Sequence, residues 1–129
     1  MFTRDTKITM CDGHPEKIGD LADADGLSPT VATKGNGQAQ AQFSVAPGEY
    51  VELSTESGRK IKCSPRAKLM LAAGGFVYAG ESNGATVEGI DGPEKLNGPE
   101  AEGKTDDLVS IRLSSVHTVL GNGFWFLVD

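Results

Sequence analysis

The sequence has no long apolar run and little basic charge. Its apolar stretches fall well short of the ~20 residues that a membrane-spanning helix needs, and Met1–Asp5 lacks the apolar segment of a signal peptide. Lysine and arginine number 12 against 18 acidic residues, which leaves a net charge of −6, and no basic cluster interrupts this excess. Because sequence-independent nucleic-acid binding needs clustered cations to neutralise phosphates, we expect neither a nucleic-acid nor a membrane partner.

Cysteine and histidine are also scarce. The two cysteines cannot form a disulfide framework and suit a reducing compartment, so we expect two buried free thiols and synthesis in the cytoplasm. A Cys2His2 set would suit Zn²⁺ chemically, and the chain offers one such set: Cys11, His14, Cys63 and His117. Only the first pair is close in sequence, so chance explains the set better. We expect no metal and no other cofactor.

Glycine, by contrast, is abundant. The chain has 17 glycines and 6 prolines, and they separate short apolar runs. This pattern is typical of many short strands rather than of a few helices. A chain of 129 residues has the length of one domain with its own core. We therefore predict a single all-β domain over residues 1–129.

Two segments give the clearest strand signals. Tyr50–Leu53 and Lys60–Cys63 alternate with period two around Glu56-Ser57-Gly58, which predicts an antiparallel hairpin. Near the C-terminus, Val116–Leu120 turns through residues 121–123 into Phe124–Val128, which holds three of the eight aromatic residues. We predict that this last run is a fully buried central strand.

Other segments are less clear. Thr30–Thr33 and Gly74–Tyr78 are predicted strands, and Pro47-Gly48 is expected to break the weak alternation that precedes it. Lys68–Ala72 is compatible with either a strand or a short helical turn.

Residues 83–107 are rich in Gly, Pro, Asn and acidic side chains. Such a composition buries too little apolar area to offset the entropy of ordering, so we predict an irregular surface excursion. If the chain binds a partner through a segment that orders on contact, its candidate residues lie here: Gly84, Pro93, Pro99 and Glu100.

Four stretches, taken in order, resemble the Hint domain family of inteins and hedgehog autoprocessing proteins. They are Phe2–Gly13, with a strand and an Asp-Gly turn; Lys17–Leu21 with Asp25; Tyr50–Leu71, with the Thr55–Ile61 hairpin and then Ser64-Pro65; and His117–Phe124, which is similar to the family's closing H-x-F-x-A-N-G-F. The resemblance covers nearly the whole chain. It implies a pseudo-twofold horseshoe of short antiparallel strands with both chain ends near its centre.

The resemblance also implies which positions would act, and none carries a competent residue. The family's first residue attacks the preceding carbonyl through a thiol or hydroxyl, whereas Met1 has no ionisable proton; we also interpret Met1 as the initiator, with no upstream peptide bond to attack. The histidine of the family's T-x-x-H motif protonates the departing nitrogen, and Ala67 of Ser64–Ala67 matches it. The closing His-Asn pair is matched by Leu127 and Val128.

We therefore expect a degenerate Hint-like domain that is not an enzyme. Its vestigial site positions are Met1, Ser64, Ala67, His117, Leu127 and Val128, with His117 interpreted as structural or solvent-facing. The expected role is that of a structural or protein-interaction module in a larger assembly, such as a phage virion. Two alternatives stay open: a self-cleaving or splicing Hint domain inactivated by engineered substitutions at Met1 and Ala67, and a small all-β ligand-binding domain unrelated to Hint.

Overall fold

A computed structural model describes residues 1–24, 29–35, 37–114 and 118–128. Its elements in chain order are β1 Lys7–Thr9, β2 Pro15–Lys17, α1 Ile18–Asp23, β3 Thr30–Thr33, β4 Gly37–Thr55, β5 Lys60–Cys63, β6 Lys68–Met70, β7 Phe76–Tyr78, a 3-10 turn Ala79–Glu81, β8 Thr86–Gly89, β9 Gly92–Leu113, β10 Thr118–Gly121 and β11 Phe124–Leu127. No helix among these residues has the length and apolar character needed to cross a membrane.

The strands form one antiparallel sheet. Its main path runs β2-β1-β10-β11-β8-β9-β4-β3, while β5 pairs with β4, β6 pairs with β11, and β7 pairs with β6. The all-β prediction is therefore confirmed. The last strand, β11, is central because it pairs with β10, β6 and β8.

Only one face of β11 is fully buried, so the prediction of burial on both faces was wrong. Phe124 and Phe126 are wholly buried, whereas Trp125 and Leu127 on the opposite face are half-buried. The ring of Phe126 packs edge-on against Phe2 at 4.9 Å between centroids. Because side chains alternate across a strand, packing on the inner face leaves the outer face partly open.

The predicted hairpin is present. β4 and β5 pair from Val51↔Cys63 to Ser54↔Lys60 around a turn at residues 56–58. Thr30–Thr33 and the end of Gly74–Tyr78 are strands as predicted, and the ambiguous Lys68–Ala72 begins with strand β6.

The prediction of an irregular excursion over residues 83–107 was wrong. Most of this stretch is β8 and β9, and β9 pairs with β4 almost continuously from Ala41↔Leu113 to Thr55↔Leu96. The backbone is ordered by a partner strand some 50 residues away in sequence. The composition of residues 83–107 reflects only the apolar area that this segment itself can bury. It gives no sign of the pairing with β4, which is distant in sequence.

Proline and glycine are accommodated in β4 and β9 as bulges. Pro47-Gly48 does not end the strand as predicted, because the register shifts between Ala46 and Gly48 and the pairing then resumes. A second shift leaves Gly98-Pro99-Glu100 opposite Leu53 alone. Extra residues in a bulge need no ladder hydrogen bond, so a residue without an N–H is tolerated there.

Candidate functional site

The turn Ser64–Ala67 joins β5 to β6 and carries Ala67, the position that the resemblance predicts as the counterpart of the family histidine. The Ala67 N–H donates to the Ser64 carbonyl at 3.0 Å, and the Arg66 N–H donates to the Ser64 hydroxyl at 3.2 Å. The carbonyl and hydroxyl oxygens of Ser64 therefore both accept hydrogen bonds within the turn. Ala67 is wholly buried, and its carbonyl accepts the Ala79 N–H at 2.8 Å.

The first two residues are held between this turn and β9. The Met1 carbonyl accepts the Ser64 N–H at 2.7 Å. The Met1 α-amino group donates to the Val109 carbonyl at 2.6 Å and to the Ser110 hydroxyl at 3.1 Å. Phe2 then forms backbone bridges to both Cys63 and Val109. These bonds fix the start of the chain against the matched turn.

The end of β11 reaches the same region. Leu127 pairs with Lys68, the residue that follows Ala67, and the Phe126 ring contacts the Phe2 ring. Val128 is buried in the common core. The structure thus places Met1 beside the Ser64–Ala67 turn and Leu127 beside Lys68, and it buries Val128. His117 lies outside the described residues.

The assembled side chains offer no proton carrier at the matched positions. A thioether, a buried methyl group and two aliphatic side chains stand at Met1, Ala67, Leu127 and Val128. None of these groups titrates in water, so none can act as a general acid or base.

Two titratable groups do lie in this region, and burial shifts both toward their neutral forms. Burial lowers the pKa of the Met1 α-amino group to about 6. It raises the pKa of the Cys63 thiol to about 12. At neutral pH the Cys63 thiol is therefore protonated, which makes it a poor substitute nucleophile.

Sequence reasoning missed the supporting contacts from β9. Val109 and Ser110 hold the first residue, yet no motif marks them, because their role depends on the long pairing of β9 with β4. Cys63 was recognised only as a thiol, although its position directly before Ser64 was visible.

Three members of the Cys2His2 set, Cys11, His14 and Cys63, lie among the described residues, whereas His117 does not. Cys63 is buried as expected, but Cys11 is exposed in the turn between β1 and β2, which contradicts that half of the prediction. The Cys11 thiol is left in solvent because the turn is stabilised by other groups: the His14 N–H donates to the Asp12 carboxylate. No group of three or more Cys, His, Asp or Glu side chains suited to a metal occurs within the described ranges.

The interaction candidates lie in ordered structure. Gly84 belongs to the turn before β8, and its N–H donates to the Leu96 carbonyl at 3.0 Å. Pro93, Pro99 and Glu100 are residues of β9. They remain on the surface or close to it. They do not form a segment that awaits a partner to order it.

Structural comparison identifies the fold. The chain is similar to a DnaB intein from Synechocystis sp. PCC 6803, with a TM-score of 0.77 at 13% identity over 99% of this chain and 97% of that chain. It is also similar to the TvoVMA intein, with a TM-score of 0.74 at 16% identity over 99% and 96%. The gp41-1 intein gives a TM-score of 0.69 at 15% identity over 99% and 97%.

By sequence, no family model and no curated protein matches the chain. At such low identity the structural likeness defines the architecture alone, an intein-like Hint fold over essentially the whole chain.

Proposed function

We propose that this protein is a degenerate Hint-like domain that has no autoprocessing activity and acts as a structural or protein-interaction module. The observation that carries the proposal is the state of the matched site. The backbone brings the chain start, the Ser64–Ala67 turn and the end of β11 together. The side chains of Met1, Ala67, Leu127 and Val128 supply neither a nucleophilic thiol or hydroxyl nor a group that transfers protons.

Ala67 is the most informative position. Protonation of the leaving nitrogen typically contributes 10²–10⁴-fold to such reactions, and a methyl group supplies none of it. Ala67 is also wholly buried. An imidazole there would overpack the core, at a cost of roughly 1–3 kcal/mol. We therefore expect a histidine restored at position 67 to fit poorly.

The nearest thiol does not replace the missing nucleophile. Cys63 precedes the matched turn, but burial keeps it protonated at neutral pH. The hydroxyl of Ser64 is already engaged by the Arg66 N–H.

A domain without chemistry acts through its surface. We place it in a larger assembly, with a phage virion as the leading setting, synthesised in the cytoplasm and then incorporated. This role is supported by the fold together with the lack of reactive side chains at Met1, Ala67, Leu127 and Val128. An intein-like scaffold without its reactive groups retains only its shape and surface.

The decisive experiment restores the missing groups one at a time. An unrelated peptide is fused ahead of residue 1, and Met1→Cys is introduced alone and with Ala67→His. We expect no thiol-dependent release of the peptide from the single variant and little from the double variant, because a misplacement of about 1 Å can cost ~10²-fold. Mass spectrometry after incubation with a small thiol measures the release.

Met1→Cys with Ala67→Asn is the matched control, since asparagine fills a similar volume but transfers no proton. Urea unfolding of each variant verifies that it folds. Near-complete release by Met1→Cys with Ala67→His, but not by Met1→Cys with Ala67→Asn, would overturn the proposal. It would favour a self-cleaving domain inactivated by substitution at Met1 and Ala67.

A further inference from the structure

The outer face of strands β11, β6 and β7 is a continuous surface. Leu127 pairs with Lys68, which pairs in turn with Tyr78, and Met70 pairs with Phe76 in the next row. Cross-strand partners lie on the same face of an antiparallel sheet. The intervening row, Phe126, Leu69 and Val77, packs into or against the core. We call the outward set the β7 face: Leu127, Lys68, Met70, Phe76 and Tyr78, with Arg66 at its margin.

Two cations lie over two aromatic rings on the β7 face. The Lys68 ammonium is 5.1 Å from the Phe76 ring centroid, and the Arg66 guanidinium is 5.3 Å from that of Tyr78. The two rings meet edge to face at 5.4 Å. Such contacts orient long side chains at an exposed site while leaving their charged ends in water.

The β7 face is open to solvent at Phe76, and strand β7 has one free edge. Phe76 is 42% exposed, which makes it one of the few large apolar side chains so exposed in the described part of the chain. Among the described strands β7 pairs only with β6, so its other edge presents unpaired backbone groups. An edge of this kind accepts a further strand.

The charge of the face differs from that of the molecule. Within the described residues, neither Arg66 nor Lys68 has a carboxylate within 4.0 Å, whereas Arg4, Lys34 and Arg59 do. Among the described residues of a chain of net charge −6, two cations without an ion pair thus lie over the rings of Phe76 and Tyr78. Carboxylates on a partner would complement these two cations.

We propose that the β7 face docks an extended acidic segment of a partner protein, which adds as a strand along β7 with its carboxylates on the β7 face and its apolar side chains on the opposite, inner face. Successive side chains of a strand point to opposite faces, so the residues that meet Lys68 share one face of the segment, and the residues between them lie on the side of Val77. This inference deepens the proposed interaction role and rests on it.

Single-stranded nucleic acid is the competing ligand, since stacked rings and cations also bind bases and phosphates. Only two cations line the face, and a groove that tracks a phosphate backbone needs more. A protein segment is therefore the better fit.

The test is an NMR titration of the whole 129-residue protein with a capped Glu-Val-Glu-Val-Glu-Val-Glu peptide. The matched Lys-Val peptide and an oligothymidylate are titrated in parallel. We expect the acidic peptide alone to shift the amides of Phe76–Tyr78 and the indole N–H of Trp125, the only tryptophan, which shares the outer face of β11 with Leu127. Concentrations to about 5 mM cover the affinity expected of a short peptide.

Two variants locate the binding. Phe76→Ser removes the exposed ring and Lys68→Glu reverses one charge; each is expected to weaken binding roughly tenfold. Ile90→Ser and Lys60→Glu are the controls, because Ile90 is another exposed apolar residue, in the turn between β8 and β9, and Lys60 is an exposed lysine on β5. These controls are expected to bind as the unchanged protein does. Dispersed amide spectra verify that all four fold.

Several outcomes would overturn the inference: no shifts at the highest concentration, shifts that map elsewhere, equal binding by the Phe76→Ser and Lys68→Glu variants, or stronger binding of the oligothymidylate. The last would assign the face to nucleic acid. None of these results changes the cleavage experiment, and recovered cleavage would leave the titration unchanged, so the two proposals fail separately.

Discussion

At the scale of single residues, Arg59 ties three turns together. It follows the turn of the β4–β5 hairpin, and its guanidinium lies 3.1 Å from Asp91 and 3.2 Å from Glu94. The same group lies 5.9 Å from the Phe124 ring centroid and reaches the Asn122 carbonyl at 3.5 Å. The side chain is only 23% exposed, so it is held within the structure rather than free on the surface.

Gly123 has no side chain, and the Arg59 guanidinium occupies the space where a Cβ would lie. This contact gives a first prediction. Its φ is +84°, and a Cβ there would overlap the Arg59 guanidinium. Gly13 has nearly the same φ, +86°, with open space around it. We expect Gly13→Ala to cost about 1 kcal/mol of unfolding free energy through left-handed backbone strain. Gly123→Ala should cost at least about 2 kcal/mol, because it also displaces Arg59.

Urea denaturation of the two variants measures the difference between their losses of unfolding free energy. The cost of left-handed backbone strain is common to both variants and cancels in this difference. Equal losses of stability would mean that Arg59 can move without penalty.

The two cysteines give a second prediction at this scale. Cys11 is exposed, whereas Cys63 is buried with its pKa raised to about 12. At pH 8 we expect iodoacetamide to modify Cys63 at least ~10³-fold more slowly than Cys11, because both thiolate formation and access are suppressed. Peptide mapping by mass spectrometry gives the two rates. In denaturant both cysteines should react alike; comparable rates in the folded protein would contradict the burial of Cys63.

Some residues could be assigned from the sequence and others could not. The closeness of Met1 to the Ser64–Ala67 turn was predictable from motif order in the resemblance, whereas the roles assigned to Met1 and Ala67 stay predictions. Ser110 was not identifiable, since its contact with Met1 depends on a strand pairing between residues far apart in sequence. The exposure of Cys11 was also mispredicted, because residue type alone favours burial of a thiol.

At the scale of elements, β9 is where the structure departs furthest from the sequence-based expectation. We predict that amide hydrogen exchange protects Val109, Ile111 and their ladder neighbours as strongly as the β5 amides. The reason is that β9 is hydrogen-bonded to β4 along most of its length and that both residues are buried. NMR exchange measures each amide, and uniform rapid exchange over residues 101–111 would show that the strand is not stably formed.

Local pairing was predictable and distant pairing was not. The β4–β5 hairpin follows from alternation around one Ser-Gly turn, so sequence reasoning located it. For β9, period-two alternation is clear only over Leu108–Leu113, while glycine, proline and acidic residues mask the rest. The bulges at Pro47 and at residues 98–100 then absorb the residues that looked like strand breakers.

At the scale of the whole molecule, the buried Met1 amino group couples stability to pH. Its pKa falls from 8.0 to about 6 on folding, chiefly through burial. The unfolded chain therefore binds more protons between these values, and the unfolding free energy rises with pH across this window. In a chain with a free α-amino group we expect a gain of roughly 1–2 kcal/mol from pH 6 to pH 8, after allowance for partial solvent exposure.

Urea unfolding at pH 6, 7 and 8 measures this gain, and an N-terminally acetylated protein serves as the control. Acetylation removes the titration, so its stability should change less across the same range. Identical slopes for the two forms would assign the pH dependence to other groups.

The architecture as a whole was accessible through the resemblance rather than through composition. Composition indicated many strands, but only the four family-like stretches, in their order along the chain, suggested which fold these strands form. The structural comparison supports that fold over 99% of the chain. The catalytic status rests on individual side chains, which neither fold nor composition determines.

The central position of β11 has a consequence for how the molecule acquires its structure during synthesis. Translation makes β11 after β6, β8 and β10, yet all three of these strands pair with it. Phe2 is likewise made well before Phe126, whose ring it packs against. These strands therefore lack one pairing partner until residues 124–127 have been made, and packing around Phe126 forms only after that. A nascent chain in this state exposes apolar side chains and unpaired strand edges, which favour aggregation.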